Sequence, residues 1–244
     1  MKSRRSNTIN LAIVLFGILA IPMPQVHAQT SKEPYAVMAP LAEYLMADRP
    51  AEIQLARSAA PSAISESAEV LVLGLHGYET AVKGTNGFVC LIERSWTGSF
   101  EDPEFWNPKI RSPICFNPAA ARSVVPWTYK KTEMVLAGFS KTQIAAGIKS
   151  ALDKKEMPAV EVGSMSFMMS RLSYLGDSIG HGPAHLMFFG PNRPDGAGWG
   201  ENLPGSPIFR FGEPDDSSEP VRTYIIPVSK WSDGEPVSTD GHKH

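Results

Sequence analysis

The chain has 244 residues, a formal net charge of −2, 43% hydrophobic residues and two cysteines. That length and apolar content are ample for a sizeable core. A charge this close to neutral, with no basic stripe to neutralise phosphates, argues against a nucleic-acid partner.

The first thirty residues read "MKSRRSNTINLAIVLFGILAIPMPQVHAQT". Lys2, Arg4 and Arg5 form a positive region, and Leu11 to Ile21 is an apolar run too short to span a bilayer. Val26-His27-Ala28 is a small-x-small cleavage site, so residues 1–28 are expected to be a signal peptide and 29–244 a single domain. Ser3-Arg4-Arg5 hints at twin-arginine export, but Asn7 and Thr8 stand where apolar residues are needed, which favours the general secretory route. No second apolar segment follows, so the mature protein is expected not to span the membrane and to work in the periplasm or outside the cell.

Two short helices come next. Met38, Leu41 and Leu45 have helical spacing, and "PAEIQLARSAAP" runs between two prolines. Three strand-like runs follow, Glu69 to Leu75, Tyr78 to Val82 and Phe88 to Glu93. Gly77 and Asn86-Gly87 sit in their connections, and the pattern predicts a meander. A long Pro-rich loop leads to Cys115. Export makes Cys90 and Cys115 a disulfide pair, which stabilises by about 3 kcal/mol in the chain-entropy model. A helix is expected after Pro126. The clearest helix is "SKTQIAAGIKSALDKKEMP", with Ser140 as cap and Ile144, Ile148, Ala151 and Leu152 along one face. Strands are predicted at Met165–Leu172, His185–Phe189, Ile208–Phe211 and Tyr224–Val228, before a polar tail ending "DGHKH". The fold expectation is α+β: a mainly antiparallel sheet with an N-terminal meander and helices packed on one face.

Several residues stand out as candidates for chemistry. His181 and His185 lie four apart, and His76 sits at the first turn of the expected meander. Three imidazoles of this kind could make an open zinc site. The alternative is that His185 opens a buried strand and His181 is a loop residue. Trp96, Phe100, Phe105 and Trp106 either line a groove or form the core of their own loop. Glu93, Glu101 and Asp102 offer carboxylates for a glycosidase, though the ordinary reading is solvated charge. Gly176-Asp177-Ser178-Ile179 resembles the opening block of the Gly-Asp-Ser-Leu esterases, which implies Ser178 as nucleophile. Position 193 is Arg and no Asp-x-x-His follows, so these residues read as turn formers.

Four stretches, "GTNGFVCL", "ICFNPAAAR", "GPAHLMFFGPN" and "YIIPVSKWSDG", together resemble a family of exported bacterial proteins of unassigned activity. The resemblance implies a single exported domain and carries no catalytic residues. The expected function is a non-catalytic envelope or extracellular module that binds a small ligand or partner. The alternative is a metal-dependent hydrolase using His76, His181 and His185.

Overall fold

The computed structural model describes residues 34–191, 198–211, 219 and 221–238. The expected signal peptide, Arg193 and the two tail histidines lie outside them. Among the described residues eight strands form one sheet: β1 (Glu69–Gly74), β2 (Gly77–Val82), β3 (Val89–Glu93), β4 (Ser112–Phe116), β5 (Met165–Met168), β6 (His185–Pro191), β7 (Phe209–Phe211) and β8 (Val221–Pro227). Their order is β2-β1-β3-β4-β5-β6-β8-β7. Every junction is antiparallel except β1–β3. The class is α+β, as the sequence suggests.

The expected meander is only half present. β1 and β2 form a hairpin, but β3 returns parallel to β1 instead of pairing with β2. The Asn86-Gly87 pair, a strong hairpin signal, is used differently. Its Asn86 side chain donates to the Ile64 carbonyl at 2.7 Å and accepts from Phe88 N–H at 3.0 Å. The Thr85 N–H bonds the Ser67 carbonyl at 2.8 Å. These bonds carry the chain across the start of β1, so β3 enters on β1's far side.

Helices cover both faces of the central strands, where the sequence suggested one. Along each strand alternate residues point to opposite sides. Helix α1 (Arg49–Arg57), capped by the Asp48 carboxylate and followed by the one-turn helix α2 (Ser62–Ser65), packs Ala56 on Val70, Cys90, Ile92 and Cys115. On the opposite face, Leu71, Leu91, Ile114, Phe116, Met168 and Phe189 meet Val124 and Val125. Those two valines sit where α3 (Pro118–Ser123) passes into α4 (Val125–Leu136). Burying Leu91, Ile92 or Ile114 completely contributes about 1.5–3 kcal/mol each.

A third cluster includes Leu73 of β1 but draws mostly on loops and helices. Trp96, Phe100, Phe105 and Trp106 are buried with Tyr44, Trp127, Ile144 and Ile148. The loop aromatics are therefore core, not a groove. Tyr44 fastens this loop by donating to the Trp106 carbonyl at 2.8 Å. Helix α5 (Lys141–Asp153) begins with a capping box between Ser140 and Gln143. It buries Ile144, Ile148 and Ala151, while Leu152 is half-buried against the same cluster.

Two covalent or ionic ties sit in the interior. Cys90 and Cys115 are directly opposed on β3 and β4 and form a disulfide, with Cα atoms 4.0 Å apart. Arg94, just past β3, turns to the α1 side. Its guanidinium bonds Glu52 at 2.8 Å, the Tyr44 carbonyl at 2.7 Å and the Ile92 carbonyl at 2.6 Å.

Candidate functional site

Between α4 and the sheet lies a cavity of about 420 Å³. Its walls follow from the alternation on each strand. Ile114 and Phe116 of β4, Met168 of β5, Met187 and Phe189 of β6 and Ile225 of β8 face it from the sheet. Trp127 of α4 faces it from above, and Leu175, Ile179 and Pro183 close one side. Most of the lining is thus apolar, with polar groups gathered at a few places, the usual makeup of a small-molecule site.

One polar end is built where β3 leads into the loop. Glu93 and Ser112 are cross-strand partners on β3 and β4, and both reach the cavity. Thr97, Thr128 and Lys131 line the same region. Burial pushes the Glu93 carboxyl up from its ordinary 4.5 to about 7, while Lys131 and the hydroxyls of Thr97 and Thr128 pull it back. Ser95, only 5% exposed, also lines the cavity, and its hydroxyl makes no hydrogen bond. Lys131 itself is fully engaged. Its ammonium bonds Gly98 O at 3.1 Å and Glu219 at 3.0 Å, and lies 4.3 Å from the centre of the Phe100 ring. Glu219 also accepts from Phe100 N–H at 3.0 Å, so this ion pair ties α4 to the segment entering β8.

His185 of β6, Arg210 of β7 and Arg222 of β8 also line the cavity, with His185 and Arg222 at opposite ends of the β6–β8 ladder. His185 is buried at the mouth of β6, and its Nδ1 lies 2.8 Å from the Pro183 carbonyl. A carbonyl oxygen only accepts, so Nδ1 carries the proton and the neutral ring keeps its Nε2 lone pair. Burial lowers the His185 pKa against the opposing pull of that carbonyl, which keeps the ring neutral.

The three histidines singled out for zinc do not converge. Among the described residues, no group of three His, Cys, Asp or Glu side chains is placed to hold a metal ion. His76 is exposed in the β1–β2 turn at one end of the strand order, four strands from His185 on β6. His181 is an exposed loop residue whose Nδ1 bonds the Ser173 carbonyl at 2.6 Å. The reason is topological: residues four apart share a face only on one continuous strand, and Gly182-Pro183 breaks this one.

The Gly-Asp-Ser stretch has a structural task. It wraps the buried Glu104 carboxylate, which accepts from Asp177 N–H at 2.7 Å, Ser178 N–H at 3.0 Å and the Ser178 hydroxyl at 2.9 Å. A Cβ at Gly176 would stand 2.8 Å from that carboxylate, so glycine is required there. Burial works to raise the Glu104 pKa, but these donors and Asn107 outweigh it and hold the carboxyl below its ordinary value. Asp177 in turn accepts from Lys109 at 2.9 Å and from Tyr35 and Tyr174. The Ser178 hydroxyl is committed to Glu104, and the His181 ring bonds the Ser173 carbonyl instead of Ser178.

No family model, curated protein or solved structure matches the chain. From sequence alone Glu93 reads as a solvated strand end, and nothing marks Ser95, Ser112, Thr128 or Lys131. One signal was present: Glu93 follows the wholly apolar run "FVCLI", so the next inward-facing position on the strand is a carboxylate.

Proposed function

We propose that the chain is an exported, non-catalytic binding protein that holds a small ligand in the cavity between α4 and the sheet. It would belong with the exported bacterial proteins that its four marker stretches resemble. The observation that carries this reading is the cavity itself, apolar along its length and provided with clustered polar groups at its ends. A buried disulfide suits an oxidising compartment. Among the described residues no helix is long and apolar enough to cross a membrane. Ser178 is bound to Glu104 and the histidines stand apart, so the hydrolase alternative gains no support from either group.

Titration with N-phenyl-1-naphthylamine, a neutral fluorophore that brightens in apolar sites, tests the reading. Saturable binding is expected, and Met187→Trp, which fills the cavity from β6, should weaken it at least about tenfold. Far-ultraviolet circular dichroism should stay unchanged in that variant. Binding that ignores Met187→Trp would overturn the assignment of the cavity.

A further inference from the structure

We infer that the ligand of this cavity is a neutral amphiphile, with a hydroxyl-bearing head group held by Glu93, Ser95, Ser112 and Thr128 and an apolar body lying between Trp127 and the β4–β6 face. This rests on the cavity being a binding site and adds which chemical class fills it.

The head-group end explains the choice. Four side chains there carry hydrogen-bonding capacity, next to a cavity body walled mainly by carbon. Ser95 is the sharpest case, a buried hydroxyl with no partner. Leaving such a group unsatisfied is unfavourable, and a ligand hydroxyl would satisfy it. A hydroxyl both donates and accepts, so it complements serine and threonine hydroxyls and a protonated carboxyl alike.

The charges around Glu93 argue against an ionic head group. From α4 comes Lys131, already neutralised by Glu219. From beside β3 comes Arg94, whose guanidinium is spent on Glu52 across the sheet. Asp102 lines the cavity from the loop, and neutral His185 lies three strands away on β6, about 14 Å at the 4.8 Å strand spacing. Arg210 and Arg222 line the cavity from β7 and β8. An ammonium head would have to sit beside Lys131. A carboxylate head would meet Glu93 itself. A neutral head meets neither penalty when Glu93 holds its proton.

A proton is therefore linked to binding. An apolar body in the cavity removes water from Glu93 and favours its neutral form. Above the pH at which Glu93 ionises, binding a neutral ligand must first restore that proton. Affinity should fall by up to about tenfold per pH unit there.

The test is displacement of N-phenyl-1-naphthylamine by three ligands of one chain length: 1-decanol, decylamine and decanoate. At pH 6, 1-decanol is expected to displace the probe at least about tenfold better than either ion. Its affinity should fall between pH 7 and pH 9, and Glu93→Gln should flatten that fall while still binding 1-decanol. Ser112→Ala should weaken 1-decanol a few-fold and leave the pH dependence intact. Decylamine binding best, with affinity rising with pH, would overturn the inference in favour of a cation site. Decanoate binding best would overturn it in favour of Arg210 and Arg222. Either result leaves the cavity a binding site. Failure of the wild-type protein to bind the probe would instead sink the binding reading itself.

Discussion

Individual side chains carry opposing demands in this protein. Arg94 and Glu52 are both almost fully buried, so their attraction has to offset the loss of two hydration shells. Removing one partner is worse than removing both, because the survivor is left charged in the core. Glu52→Ala should cost about 3–5 kcal/mol in urea unfolding. A loss under about 1 kcal/mol would mean that Arg94 finds water. Glu93 and His185 pull stability in opposite directions with pH. Glu93 keeps a proton in the folded chain that the unfolded chain releases between pH 4.5 and about 7. The folded state is therefore favoured below pH 4.5 and loses that advantage as pH rises to about 7. His185 is held below its ordinary 6.5, so the unfolded chain binds the proton first and stability is lost as pH falls through 6.5. Between about pH 4.5 and 6.5 the two slopes oppose each other, and melting temperatures of the variants from pH 4 to 8 should separate them. Glu93→Gln should leave a stability that rises with pH there, and His185→Gln one that falls. Parallel curves for wild type and variants would refute the assignment.

At the level of elements, legibility followed how local each cause was. Helix α5 could be read almost completely, because its cap and its apolar spacing lie within one stretch. Ile148 is fully buried, whereas Lys149 is exposed and paired with Asp153. Ile148→Ala should cost about 2–5 kcal/mol, and Lys149→Ala under about 0.5. Equal melting shifts would mean the wrong face was assigned. Most strands were legible too, but β4 was hidden inside what reads as a Pro-rich loop, and the pairing of the strands was not legible. Asn86 looks like a hairpin residue until its amide is seen bonded to Ile64, a partner no local pattern announces. The resulting crossover runs so close that a Cβ on Gly84 would lie 2.1 Å from Glu69 N. That neighbour is backbone and cannot swing aside. Gly84→Ala should destabilise by about 1–3 kcal/mol despite its small size, as measured by thermal unfolding. A neutral result would show that the β2–β3 connection is looser than this.

For the whole molecule, the site was the least legible part. The cavity draws its walls from β3 through β8 and from α4, and no window of sequence holds more than a fragment of it. Histidines drew attention because they were rare and close together in sequence. The sheet order then placed His76 and His185 four strands apart. The polar groups that do meet come from the end of β3, the start of β4 and the middle of α4, each ordinary in its own context. Their common feature is a place beneath α4, which only the tertiary arrangement supplies.

The Cys90–Cys115 bond has a consequence for how that arrangement is reached. The two residues are ladder partners, so the bond reports on alignment as well as on crosslinking. A slip of one residue between β3 and β4 would send the two thiols to opposite faces. A slip of two keeps the faces but sets Cys90 opposite Pro113 or Asn117, and stretches the Cα separation to about 8 Å, beyond disulfide reach. With only two cysteines in the chain, no wrong partner exists to trap a slipped sheet. Oxidation thus acts as a proofreading step, locking the aligned pair of strands and leaving a slipped pair free to separate and try again. Counting free thiols in refolded, unreduced protein would count the molecules whose central strands had not yet aligned, and in fully refolded material that count should be zero.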